Sequence, residues 1–178
     1  MSKEYVFTSD RLGFRTWEAS DVIKMFEISS DPKVMQHFPS TQSKEYTANF
    51  IKKMQDQFNK NGFCYFAVEI LETGHFIGFI GCCEQTYEID FNPSVDIGWR
   101  LHKNFWGKGY ATEGAKACLE YMFNVLKLKK IVSVATKENT PSIGVMKKIG
   151  MHKIKEFTHP LLRDFPEYQN CVLYELKS

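Results

Sequence analysis

The stretch Asn104-Phe105-Trp106-Gly107-Lys108-Gly109-Tyr110-Ala111 sets two glycines, a lysine and three aromatic rings into eight residues. A β-rich run, Val95 to Leu101, precedes it, and an amphipathic segment marked by Ala111, Ala115, Cys118, Leu119, Met122, Phe123 and Leu126 follows. A strand feeding a glycine loop that opens a helix gathers free backbone N–H groups and the positive end of a helix dipole at one point. That arrangement binds a phosphate or pyrophosphate. Gly107 and Gly109 lack a Cβ that would keep the backbone away from such a group. Lys108 can add a cation.

The surrounding elements must hold that loop. Leu12, Phe14 and Thr16 alternate along a first strand between Arg11 and Trp17. Ser20 or Asp21 can cap a short helix through Ile28, and Tyr46, Phe50, Ile51, Met54 and Phe58 recur at helical spacing between Ser43 and Lys60. Phe63 to Leu71 and Phe76 to Cys83 read as a hairpin, with Gly78 and Gly81 marking close backbone approach or a bulge. Beyond the loop helix, Ile131 to Thr136 is a strand and Pro141 to Ile149 a helix capped by Asn139 or Thr140. Met151 to Phe157 and Cys171 to Leu176 close the series as strands. No repeat or linker interrupts it, so residues 1–178 read as one α/β domain.

Composition bounds the function. At 178 residues with 43% hydrophobic and 15% aromatic content, the chain can bury a full core. A net charge of +2 without a basic run gives no cause to expect a nucleic-acid partner. No run approaches the roughly 18 apolar residues of a membrane span, and Met1-Ser2-Lys3-Glu4-Tyr5 lacks the apolar core of a signal peptide. Cys64, Cys82, Cys83, Cys118 and Cys171 form no C-x-x-C pair, and His37, His75, His102, His152 and His159 are scattered. Neither set suggests a metal site. Thiols in apolar runs point to a reducing cytoplasm. The G-x-G-x-x-G signature of a dinucleotide-binding fold is absent after the early strands.

Taken together, Ser9-Asp10-Arg11-Leu12, Ile77-Gly78-Phe79-Ile80-Gly81, Asp96-Ile97-Gly98-Trp99, Phe105 to Glu113, Glu138 to Ser142 and Lys147 to Met151 resemble the GNAT superfamily of acetyl-CoA-dependent N-acetyltransferases. The similarity is greatest to the branch of ribosomal-protein N-terminal acetyltransferases. It implies a central mixed, mostly antiparallel sheet flanked by helices, with a splayed strand pair holding acyl-CoA. It implies that the N–H groups of Trp106, Gly107, Lys108, Gly109, Tyr110 and Ala111 cradle the CoA pyrophosphate. The strand carrying Ile97, Trp99 and Leu101 would hydrogen-bond the pantetheine arm, and Asn139 would approach its end. Asn104 stands where the family usually has Gln or Arg.

The reaction implied is direct attack of a primary amine, on a protein N-terminus or a small molecule, on acetyl-CoA in a ternary complex. The protein would act as a monomer or homodimer. The amine must first lose a proton. Glu84, just past the glycine-bearing strand, is the leading base, with Asp96 next and Glu88 behind. Many family members protonate the departing thiolate with a tyrosine seven residues after the asparagine; here that place is Met146. Ser142 matches the serine proposed for this task in the similar branch. Glu113 is assigned a structural role at its helix N-terminus, and Phe38 and Tyr87 are the candidate substrate walls. The Asn104 and Met146 departures leave a second reading open, a CoA-binding or sensor domain without turnover.

Overall fold

The computed structural model describes residues 4–178, so the first three residues of the N-terminal stretch lie outside the described residues. Strands β1 (Phe7–Thr8) and β2 (Leu12–Arg15) lead into helices α1 (Asp21–Ser29) and α2 (Lys44–Asn61). Then come β3 (Tyr65–Ile70), β4 (Phe76–Gln85), β5 (Ser94–Leu101) and α3 (Tyr110–Glu120). Finally β6 (Lys130–Thr136), α4 (Thr140–Lys148), β7 (His152–Thr158) and β8 (Asn170–Lys177) complete the chain. One eight-stranded sheet runs β1-β2-β3-β4-β5-β6-β8-β7. Every neighbouring pair is antiparallel except β5 with β6.

Local chemistry sets the element ends. Ser43 caps α2 by accepting the Tyr46 N–H at 3.1 Å, and Gly62, at φ 76°, ends it with its N–H on the Phe58 carbonyl. A Cβ on Gly81 would lie 2.2 Å from the Cys64 carbonyl oxygen, so only glycine lets β3 and β4 meet there. Two features escaped the periodicity. Strand β1 is too short to show alternation. The loop helix does not continue as α-helix to Leu126, because Tyr121–Val125 forms a π-helical turn.

The core fills both faces of the sheet, with Leu12, Phe14, Phe66, Ile80, Ile97, Cys118 and Met122 almost wholly buried. Under α1 lies a buried ionic cluster. Arg15 donates to Asp21 at 2.7 and 2.8 Å and to Glu69 at 2.9 and 2.8 Å. Of the two cap candidates, Ser20 holds the N-cap position without a side-chain cap bond, while Asp21 accepts the Glu18 N–H and its carboxylate ties α1 to β2.

Candidate active site

The glycine loop adopts the geometry its residues require. Gly107 and Gly109 have φ of 73° and 82°, the left-handed region where a side chain is strained. A Cβ on Gly107 would meet no atom within 4 Å, so this backbone borders open space. Gly109 sits at the N-cap of α3, and among the described residues the N–H groups of Gly109, Tyr110, Ala111 and Thr112 donate to no backbone carbonyl. Lys108 is exposed, its ammonium 5.4 Å from the Phe105 ring centre. The Trp106 ring is half-exposed and its Nε1–H donates to the Leu101 carbonyl at 2.9 Å.

Glu113, in the first turn of α3, is fully engaged. Ser9 Oγ, the Arg11 N–H and Arg11 Nε donate to it at 2.7, 2.8 and 2.6 Å. Partial burial works to raise its pKa, but these donors prevail and hold it below the usual range. Arg11 Nη2 also donates to the Lys108 carbonyl at 3.1 Å, tying the start of β2 to the loop.

Behind the loop the sheet opens. β5 and β6 share one parallel register pair, Asp96 opposite Val132, and Ser133 Oγ adds a 2.9 Å bond to the Ile97 carbonyl. Past that point the strands part. The His102 N–H donates to Ile77 of the β4 side, so alternation turns the backbone groups of Ile97, Trp99 and Leu101 toward the gap. The N–H and C=O of Trp99 and the N–H of Leu101 thus line an open strand edge that runs to the glycine loop.

Asp96 lies at the closed end of the gap. Its Oδ2 accepts the Tyr65 hydroxyl at 2.5 Å, and Gln85 Nε2 donates to that hydroxyl at 3.2 Å. Asp96 as a residue keeps some exposure, but Oδ1 is sealed from solvent and lacks a hydrogen-bond partner. Burial pushes the carboxyl up to about 7, against the Tyr65 hydroxyl and the Val134 backbone, which lower it. Gly98 and Arg100 follow Asp96 on the same strand face.

Glu84 has a different setting. It accepts from Lys60 Nζ at 3.0 Å and is partly exposed; this hydrogen bond and the ammonium charge hold it below the usual carboxylate range. Strand alternation also puts it on the opposite face of β4 from Cys83, the residue paired with Asp96. The structure therefore gathers Asp96, and not Glu84, with the buried groups at the gap. Glu88 lies in the 86–93 loop, where it lines an open surface recess with Thr86, Tyr87, Asp90, Asn92 and Pro93. Neither Asp96 nor Ser142 lines that recess.

Asn139 caps α4, its Oδ1 accepting the Ser142 N–H at 3.2 Å. The half-buried Ser142 hydroxyl makes no protein hydrogen bond among the described residues, so it is free to donate. Met146 is core, 1% exposed, and its thioether has no proton to donate. Phe38 stands over the Arg100 guanidinium at 4.8 Å, while Tyr87 packs on His159 at 4.7 Å. Tyr65, Arg100 and Ser133 were missed in sequence. Tyr65 reads there as one more core aromatic. The i, i+2, i+4 run Asp96-Gly98-Arg100 was visible only as part of a strand. Among the described residues no three His, Cys, Asp or Glu side chains gather as a metal site, and no helix is long and apolar enough to cross a membrane.

Comparison with known proteins agrees with this architecture. The model of the acetyltransferase (GNAT) domain matches residues 11–152. The uncharacterised N-acetyltransferase YnaD of Bacillus subtilis is 35% identical over 147 residues, 82% of each chain. The spermidine N(1)-acetyltransferase of Escherichia coli is 34% identical over 161 residues, 89% of this chain and 81% of that one. The crystal structure of a GNAT-family acetyltransferase from Bacillus anthracis superposes with a TM-score of 0.78 at 29% identity, covering 96% of each chain.

Proposed function

Because this chain belongs to the GNAT acetyltransferase family and is an acyltransferase, we propose that it moves an acetyl group from acetyl-CoA to a primary amine. The observation that carries this reading is the β5–β6 gap, whose free strand edge leads to a helix N-terminus with four unpaired N–H groups. The residues fit acetyl-CoA. Gly107 to Ala111 suit its pyrophosphate, Ile97, Trp99 and Leu101 its amide-bearing arm, and the capped turn at Asn139 its far end. When bound, acetyl-CoA supplies the activated acetyl thioester.

The chain's own groups then handle protons. Asp96 takes the ammonium proton, and the Tyr65 hydroxyl steadies the ionised carboxylate through Oδ2. A base with a pKa near 7 suits this task at neutral pH, because about half of it is ionised and the ionised form still accepts a proton well. The Ser142 hydroxyl hydrogen-bonds the sulfur as negative charge develops there. No cysteine is available as an acyl carrier: all five are free thiols, buried, and burial raises each one's pKa. Buried reduced thiols also fit a cytoplasmic site of action. The acceptor is a protein N-terminus or a small-molecule amine, and the enzyme works as a monomer or homodimer.

The test is transfer itself. Purified protein with acetyl-CoA and a panel of primary amines should release free CoA thiol in proportion to acetylated amine, read by mass spectrometry. Thiol release without any acetylated amine, or no dependence on amine, would overturn the transferase reading.

A further inference from the structure

Trp106 stands beside the glycine loop, 39% exposed. It is open to solvent but not loose. Its Nε1–H donates to the Leu101 carbonyl at 2.9 Å, and its backbone N–H to the Lys103 carbonyl at 3.2 Å. An indole has one polar atom, and here that atom is turned onto the protein. What faces outward is an apolar aromatic surface.

The carbonyl it takes fixes where the ring stands. Leu101 and His102 share a trans peptide. The N–H of that peptide, on His102, donates to Ile77 of β4 at 2.9 Å. Its C=O, on Leu101, therefore points the other way, to the side of the gap. The indole is thus anchored at the last position of the open strand edge. Gly107 follows it at φ 73°, with backbone that borders open space. The ring stands between the two surfaces that suit acetyl-CoA, the edge at Trp99 and Leu101 and the turn from Gly107 to Ala111. The part of acetyl-CoA that joins its amide arm to its pyrophosphate is the pantoyl group, which carries two methyls on one carbon. An aromatic face at that point removes those methyls from water.

We propose that the Trp106 indole forms a lip at the mouth of the gap, where its face packs on the pantoyl methyls of acetyl-CoA and selects for them. This rests on the acetyltransferase reading and gives the ring a task separate from that of the loop N–H groups.

The experiment titrates CoA and desdimethyl-CoA, in which two hydrogens replace the pantoyl methyls, into wild type, Trp106→Ala and Trp106→Phe, with dissociation constants read by calorimetry. Wild type should bind CoA roughly 10-fold more tightly than the analogue, the equivalent of two methyls withdrawn from water. Trp106→Ala should weaken CoA and bring the two ligands to near-equal affinity. Trp106→Phe, which keeps an aromatic face without the bond to Leu101, should give an intermediate ratio. A ring that only pins the loop, or that stacks on the adenine, would weaken both ligands by one factor and leave their ratio at the wild-type value. That result, a wild-type ratio near one, or a ratio unchanged in every variant that folds would overturn the lip and leave the transferase standing. Wild type that binds neither ligand would overturn both.

Discussion

A base for an alkylammonium must be ionised at working pH and still hold a proton well. Asp96 meets both demands because burial raises its carboxyl to about 7, whereas the Lys60 ammonium keeps Glu84 ionised and weakly basic. The acid limb of the kcat/KM profile should therefore climb with pH through about 7. Asp96→Asn should lower the rate by roughly 10²–10⁴-fold, and Glu84→Gln should stay near wild type. The reverse ranking would move the base to Glu84. Removing the Tyr65 hydroxyl takes away a bond that lowers the Asp96 pKa. Tyr65→Phe should shift the acid limb to higher pH; an unmoved limb would separate Tyr65 from the titrating group. Ser142 lies in the first turn of α4, the helix that follows β6, with an uncommitted hydroxyl among the described residues. If it meets the sulfur only as charge develops, Ser142→Ala lowers kcat while the acetyl-CoA dissociation constant holds. An equal kcat under rate-limiting chemistry would exclude it.

Among the elements, α3 and its entry loop carry the strongest geometric constraint. Gly109 holds φ 82° so that the next backbone N–H groups point out of the helix end. A valine there is strained by its backbone, since the position's nearest foreign atom, Arg11 Nη2, is a tolerable 3.5 Å from a Cβ. Gly109→Val should therefore fold but lose most of the rise in Tm that acetyl-CoA gives, as thermal denaturation would reveal. A full rise in the folded variant would put the cofactor elsewhere. The Arg15–Asp21–Glu69 cluster constrains α1 against β2 and β3 in the same way. Arg15→Ala removes the cation that two buried carboxylates share, so urea unfolding should show a loss of about 3–5 kcal/mol. A loss near the surface-pair level of about 0.5 kcal/mol would mean the cluster is solvated.

For the whole molecule, the sheet has a weak seam. Strands β1 to β5 on one side and β6 to β8 on the other meet through a single register pair and the Ser133–Ile97 bond. A ligand that fills the gap joins the two parts and binds only the folded chain, so acetyl-CoA should raise Tm by mass action. Asp96 also writes a pH dependence into the fold. The folded protein keeps its proton from near 3.8, the ordinary carboxyl value, up to about 7, while the unfolded chain has released it. Stability therefore falls as pH rises through that window and levels above it. Asp96→Asn should flatten this slope in urea titrations at several pH values.

What the sequence decided by itself was local. The hydrophobic periods of α2 and α3, the cap at the Asn139–Thr140 turn, and the glycine loop before α3 are written in neighbouring residues, because helix periodicity, capping and left-handed backbone act over one to four positions. The ordered blocks from Ser9 to Met151 carried the family in the same way. Only the tertiary structure decided which carboxylate is dry and which is wet. Glu84 and Asp96 look alike in a string, and their separation depends on Lys60 and Tyr65, 24 and 31 residues away. The setting of Arg100 was unreadable for the same reason: its bonds to Ser29 and Gln42 span 71 and 58 residues. Desolvation and pairing are set by contacts between distant segments, and one-dimensional pattern does not encode them.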